Sequence, residues 1–348
     1  MAEPGRDTVA LAVVEPSQAG EARRLASDLA KGVGFDPVGQ GKVALVVTEL
    51  ANNLIRHAVG GELIVRANRS GSWAGIEVLS IDRGPGMADF RRCLVDGYST
   101  AGTPGNGLGA VARLADAFDA HSVLGEGTVI SAQVWISPKE ATDRPEARLG
   151  LDLGAVCLPM AGEVECGDAW ALIGPVPGRN SLLIADGLGH GPLAAKASNA
   201  AVNLFRKNPT FDPVEHLQAI HLEIKATRGA AVAVASIDHD RREVRFAGVG
   251  NIAGTIIGDG DQRRGLVSHN GTVGANMRKT QEFVLPWPEG ALLVMHSDGL
   301  GTHWSLNHLL ALRSKAPGVI AGVLYRDFAR GRDDVTVVVA RDGGRTPR

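Results

Sequence analysis

The sequence predicts an α+β protein made of two domains in succession, and three observations lead there. At 348 residues the chain is too long for one ordinary core. Periodic apolar segments stop at Ile136, and the stretch SPKEATDRPEARLG (137–150) is polar with two prolines, which reads as a linker. Beyond it, runs of strands are separated by a helix pair, a pattern of α+β layers and not of a βαβ sheet.

In the first domain (1–136), TVALAVV (8–14) has the alternation of a strand, and Ser17 to Val33 reads as a helix closed by Gly34. Asp36-Pro37 supplies an N-cap and a first-turn proline for a long helix reaching about Ala58. Strands follow near 62–68 and 73–82. A glycine-rich loop leads to a helix from about Leu108 to Phe118, then strands near 119–124 and 128–136. In the second domain (151–348), strands are expected at 151–158, 168–174, 181–186, 230–237, 242–250, 290–297 and 335–341. Helices are expected near 192–207 and 212–225, with two more between about 304 and 329.

Composition narrows the function. A formal net charge of −2 provides no basic field for nucleic acid or acidic lipid. No stretch approaches the ~18 apolar residues of a membrane span, and the opening MAEPGRD lacks the basic start of a signal peptide. The three cysteines (Cys93, Cys157, Cys166) make no zinc spacing and fit a reducing compartment, so a soluble cytoplasmic protein is expected. Glycine is abundant, at 45 residues, and clusters beside aspartate, where backbone must approach phosphate or metal closely.

On the long helix, Val43, Val47, Leu50 and Leu54 form the buried stripe, and Glu49 and Asn53 project together from a neighbouring face. Such a pair is either a solvated helix face or a half-site for a hard cation and an attacking hydroxyl. The segments that follow favour the site. A strand runs into Asp82-Arg83-Gly84-Pro85-Gly86, Gly105-Asn106-Gly107-Leu108-Gly109 opens a helix, and Gly127-Thr128 starts a strand. Glycines ahead of a helix leave free N–H groups aimed at an anion.

In that order the motifs resemble the GHKL ATPase fold over roughly 8–136, helices on one mixed sheet. TELANNLIRHA and GLGAVARLADAF look like its anti-sigma serine kinase branch, the RsbT type. The resemblance implies ATP with Mg²⁺ as cofactor. It assigns Asp82 to the adenine amino group, Gly84 and Gly86 to the adenine pocket, and Thr128 to hydrogen bonds on the adenine side. Asn53 would hold Mg²⁺ against the phosphates, Glu49 would be the general base, and Gly105, Gly107 and Gly109 would cradle phosphate.

In the second domain, acidic residues stand at strand ends. Asp168 opens AWALIG, Asp186 follows SLLIA and precedes Gly187-Leu188-Gly189-His190-Gly191, and Asp298 follows ALLVMHS. Asp333 and Asp334 precede the last strand. One Asp-Gly after a strand is usually a turn. A buried set of carboxylates would repel unless cations neutralised it, and an all-oxygen site suits Mn²⁺ or Mg²⁺.

The pattern GD…DGLGHG…SDG…DDVTV resembles the metal-dependent serine/threonine phosphatase superfamily, an αββα sandwich, and within it the SpoIIE/RsbX branch, over about 151–341. The resemblance implies two-metal hydrolysis. Asp186 would bridge two ions with help from the Gly187 carbonyl, Asp298 and Asp333 would complete the ligands, and Asp168 would act directly or through water. Asp334 stands where relatives often carry Asn, which leaves open which of the adjacent pair ligates. His190 is either an acid for the leaving serine oxygen or a loop residue packed over the glycine turn, and the second reading is favoured.

Together these readings predict a partner-switching regulator that hydrolyses phosphoserine or phosphothreonine on a STAS-type antagonist protein. A sigma factor or other switch protein is a further expected partner. The kinase-like domain would phosphorylate the same partner or gate the phosphatase. The competing expectation is a non-catalytic, ATP-dependent sequestrator.

Overall fold

The computed structural model describes residues 8–70, 73–95, 107–136, 150–176, 178–258, 262–306 and 310–343. The chain divides into two compact units, 1–145 with 310–326, and 146–309 with 327–348. The segment 310–326, which the sequence places in the second domain, thus groups with the first unit. No described helix is long and apolar enough to cross a membrane.

In unit 1, helix α1 (Pro16–Val33) ends where Gly34 adopts a φ of 102° and its N–H turns back to the Ala30 carbonyl, a left-handed cap that glycine takes without strain. Asp36 then accepts a hydrogen bond from the Gly39 N–H and starts helix α2 (Pro37–His57). Five strands follow one sheet order, β1 (Thr8–Ala12), β2 (Glu62–Ser70), β3 (Trp73–Asp82), β5 (Gly127–Ile136) and β4 (Ala117–Val123). Every pairing is antiparallel, which corrects the expected mixed sheet. Two of the four pairings, β2–β3 and β4–β5, join strands that follow one another directly, and such hairpins impose that sense.

One face of this sheet carries Leu63, Val65, Ile76, Val78, Ile130, Ala132 and Val134 against α1 and α2. The alanines of α1 (Ala19, Ala22, Ala26, Ala30) recur every three or four residues and let that helix lie close. The short helix α3 (Gly107–Leu114) adds Val111 to the same core.

The other face holds a buried ion pair, Arg66 to Glu77 at 2.5 Å, with Ser131 and Gln133 also donating to Glu77. Residues 317–326 lie over this face. Gly318 leaves no room for a Cβ beside the Glu77 carboxylate, and one at Gly322 would stand 2.8 Å from Val129. Asp119 accepts from the Ala316 N–H at 2.6 Å, and Tyr325 donates to Glu62 at 3.2 Å.

Unit 2 contains two five-stranded antiparallel sheets. The first has the order β13 (Phe283–Pro286), β10 (Glu243–Val249), β9 (Ala230–Asp238), β8 (Arg179–Gly187), β7 (Asp168–Val176). The second has β12 (Arg263–Leu266), β11 (Ala253–Ile257), β14 (Leu292–His296), β15 (Val335–Asp342), β6 (Leu151–Leu158). Leu182, Ile184, Phe246, Leu293, Met295 and Val338 fill the layer between them. Helices α4 (Pro192–Lys207) and α5 (Pro213–Glu223) cover the outer face of the first sheet through Ala197, Ala201, Phe205, Leu217 and Ile220. The remaining helices, α6 (Leu310–Arg313) and α7 (Pro317–Phe328), fall mainly in the segment counted with unit 1.

His216 of α5 is fully buried between Phe205 and Phe211, with neither ring nitrogen bonded. Burial pushes its pKa down to about 4, and only Asp212 at the start of the helix pulls the other way. The unfolded chain binds a proton near pH 6.5 that the folded chain refuses until about pH 4. Stability is therefore fully present above pH 6.5 and falls through that window, by about 3 kcal/mol for this one group. His216→Leu is expected to remove this component. Urea melts at pH 7 and pH 4 should show a smaller loss for the variant, and equal losses would discard the assignment.

Candidate functional site

In unit 1 the half-buried pair Glu49 and Asn53 flanks the apolar stripe of α2, and Gly107 opens α3 directly opposite. A Cβ at Gly107 would stand 2.7 Å from Glu49 Oε2 and 3.8 Å from Asn53 Oδ1, so glycine there leaves the space above both side chains free. The Asn53 amide nitrogen is buried without a hydrogen-bond partner. An amide withheld from water in this way is costly unless a ligand completes it. Gly109 is buried two residues along, and Gly105 lies outside the described residues.

Asp82 ends β3 opposite Thr128 of β5. Its Oδ1 accepts the Gly84 N–H at 2.6 Å, so the carboxylate is held by its own turn. Burial raises its pKa, while the Gly84 and Thr128 backbone and the charges of Arg326 and His57 pull it back. Gly86, with a φ of 68°, packs against the Val123 carbonyl where a side chain would collide. The Thr128 hydroxyl is shared with Ser122 at 2.8 Å, and Ser122 also accepts the Met87 N–H. Arg83 and Arg326 were not foreseen: Arg326 donates to the Asp82 carbonyl at 3.4 Å, and the Arg83 side chain donates to the Arg326 carbonyl. Nothing local in the sequence links positions so far apart.

In unit 2 the β7–β8 register sets Asp168 directly beside Asp186. Gly187 donates its N–H to the Gly167 carbonyl and packs so closely on Ala194 of α4 that a side chain there would overlap its backbone. Gly299, after Asp298, abuts the Asp334 backbone in the same way. The Gly299 contact joins the Asp298 turn to the Asp333-Asp334 turn, and Gly167, bonded to Gly187 and without room for a Cβ beside Asp334 Oδ2, joins these to the Asp186 loop.

Asp168 is 3% exposed and its pKa is pushed up to about 7, first by burial. The nearby Ser297 and Thr336 hydroxyls favour its charged form, but neither reaches hydrogen-bonding geometry, and both carboxylate oxygens stay unpartnered. Asp186 is pushed up to about 9 by burial and then by Asp168, Asp298, Asp333 and Asp334. Of the adjacent pair, Asp334 is the buried one. Its Oδ1 accepts the Met160 N–H at 2.9 Å, its Oδ2 has no partner, and burial raises its pKa. Asp333 is half exposed and accepts the Asp334 N–H, while Asp298 accepts from Asn251 at 2.7 Å. Among the described residues no three such side chains are already drawn into the spacing of a bound ion.

A family model described as "Stage II sporulation protein E (SpoIIE)" matches residues 177–342, and one described as "Histidine kinase-like ATPase domain" matches 12–134. The serine/threonine-protein kinase RsbT of Bacillus subtilis is 38% identical over 115 residues, 33% of this chain and 86% of RsbT. The phosphoserine phosphatase RsbX of the same organism is 22% identical over 158 residues, 45% of this chain and 78% of RsbX. The chain joins an RsbT-family kinase-like domain to a SpoIIE-family phosphatase domain. A solved chain from the bacterial stressosome, described as "a modular system that has been adapted to control secondary messenger signaling", is 31% identical. It superimposes with a TM-score of 0.51, covering 55% of this chain and 99% of that one.

For the SpoIIE-type domain, the raised pKa values and unpartnered oxygens have one physical meaning. Carboxylates held together in low dielectric disfavour their own ionisation, and a hard cation reverses that. The donors are all oxygen, which suits Mn²⁺ or Mg²⁺. His190, the leaving-group candidate, is instead hydrogen-bonded through Nδ1 to Glu163 Oε1 at 2.6 Å, and both are partly exposed. Glu163 and Arg228, whose guanidinium lies 3.1 Å from where a Gly189 Cβ would be, are the neighbours that sequence reading missed. Both are brought in by loops whose sequence carries no motif.

Proposed function

We propose that the protein is a cytoplasmic partner-switching enzyme that hydrolyses phosphoserine or phosphothreonine on a STAS-type antagonist protein. The observation that carries this reading is the set of close, like-charged carboxylates of Asp168, Asp186 and Asp334, with orphan buried oxygens on Asp168 and Asp334. Structural aspartates do not repay such a cost, and Mn²⁺ or Mg²⁺ would. Asp168, Asp186, Asp298 and the Gly187 carbonyl, with Asp333 or its neighbour Asp334, would hold two ions. Bound there, such ions acidify water and draw charge from the phosphoryl oxygens. The protein's own part is to align the acid loops through the Gly187 and Gly299 contacts and to exclude bulk water from Asp168.

The RsbT-type domain would bind ATP with Mg²⁺ through Asn53, the α3 glycines and Asp82, with Glu49 as general base. It would either return phosphate to the same partner or gate the phosphatase. The test is phosphate release by the full chain from a phosphoserine STAS protein with Mn²⁺, with Mg²⁺ and with EDTA. Release is expected with metal and absent with EDTA; no release under either metal, with ATP still bound, leaves the sequestrator reading standing instead.

A further inference from the structure

Around the acid loop lies a rim that the hydrolytic chemistry does not use. Val164 is 91% exposed, Leu188 50% and Leu193 54%. Each sits one or two residues from a group fixed at the site. Leu188 follows Gly187, and its N–H is bonded to the Gly229 carbonyl at 3.0 Å. Leu193 is the second residue of α4. Val164 follows Glu163, which is tied to His190, and a Cβ at Gly191 would stand 2.8 Å from Glu163 Oε2. The loops 163–164 and 188–193 are thereby held together, which gathers three exposed aliphatic residues on the loops beside Asp186.

The charge beside them has the complementary sign. The β8–β9 register pairs Asp186 with Ala231 and Gly187 with Ala230, and its continuation sets Arg228 opposite Gly189. Arg228 is exposed, and among the described residues no carboxylate pairs with it. An unpaired guanidinium at the mouth of an acidic cluster suits a phosphoryl dianion, which it meets in fork geometry.

We propose that Val164, Leu188, Leu193 and Arg228 form the docking surface for the phosphoprotein, the aliphatic side chains covering protein surface and Arg228 gripping the phosphoryl oxygens. This rests on the phosphoprotein-phosphatase reading above. On this reading a small phosphate ester needs Arg228 but not the aliphatic side chains. A phosphoserine on a folded protein would bring its surrounding surface against them too, because Leu188 stands two residues from Asp186 and is half exposed.

The test is steady-state kinetics of the full chain with Mn²⁺ on two substrates, p-nitrophenyl phosphate and a phosphoserine STAS protein. Val164→Ser with Leu193→Ser is expected to lower kcat/KM for the phosphoprotein on the order of 10-fold or more, mainly through KM. Turnover of p-nitrophenyl phosphate should stay within about twofold, which also reports that the variant is folded. Arg228→Ala should raise KM for both substrates and the inhibition constant of inorganic phosphate, with Arg228→Lys restoring part. Equal loss on both substrates in the serine variant, or no loss on the phosphoprotein, overturns the docking surface. Unchanged KM in Arg228→Ala removes the arginine from it. A wild-type chain that turns over p-nitrophenyl phosphate but not the phosphoprotein overturns the substrate reading, and one that turns over neither overturns the phosphatase reading itself.

Discussion

Asp186→Asn is expected to lower phosphatase turnover by about three orders of magnitude or more, equivalent to about 4 kcal/mol of transition-state stabilisation. The substitution keeps the shape of the side chain and removes its charge. Asp186 is flanked in register by Asp168 and feels Asp298, Asp333 and Asp334, so it is the residue on which the cluster converges. Stability should move the other way. A carboxylate whose pKa is pushed up to about 9 is one the folded chain holds at a cost, and an amide carries no such charge. In EDTA the variant should melt at the same temperature as the wild type or higher. The paired measurements are kcat on p-nitrophenyl phosphate at saturating Mn²⁺ and a melt followed by circular dichroism. Turnover within tenfold of wild type would take Asp186 out of the mechanism.

The same physics explains what the sequence could and could not disclose. Strand ends are legible because a β run stops at a known residue, so Asp168, Asp186 and Asp298 could be recognised as one kind of position before any contact was known. Asp333 and Asp334 could not be separated that way. They share a turn, and only the packing of Gly299 and Gly167 around Asp334 distinguishes the buried carboxylate from the half-exposed one. Helix α7 is a parallel case. PGVIAGVLYR is apolar nearly all round and therefore reads as buried, yet nothing in its periodicity says which sheet it covers. The answer lies in Gly318 and Gly322, whose missing side chains admit Glu77 and Val129 of unit 1. The strands β11, β12 and β13 went unread because they are four or five residues long, and two of them carry arginines or a proline in place of clean alternation. Glu163 and Arg228 show the general limit. A side chain that matters through a loop contact leaves no period and no motif.

In the RsbT-type domain, Asn53→Ala and Glu49→Gln are expected to fail in different ways, because the two side chains share a helix face but not a role. Asn53 holds a buried amide nitrogen without a partner, next to the space that Gly107 leaves open. Removing it relieves that orphan and deletes the proposed Mg²⁺ contact, so the affinity for ATP with Mg²⁺ should drop by roughly 50-fold, about 2–3 kcal/mol. The fold should not weaken, since no hydrogen bond of the chain itself is lost at the amide nitrogen. Glu49→Gln keeps the volume and the helix but gives up the ability to take a proton. Nucleotide affinity should then stay within a few-fold, while phosphoryl transfer to a STAS protein falls on the order of 10²-fold or more. Titration calorimetry with ATP and Mg²⁺, beside transfer of labelled phosphate, separates the two. If both variants bound ATP as the wild type does and transferred phosphate equally, the pair would be a solvated helix face.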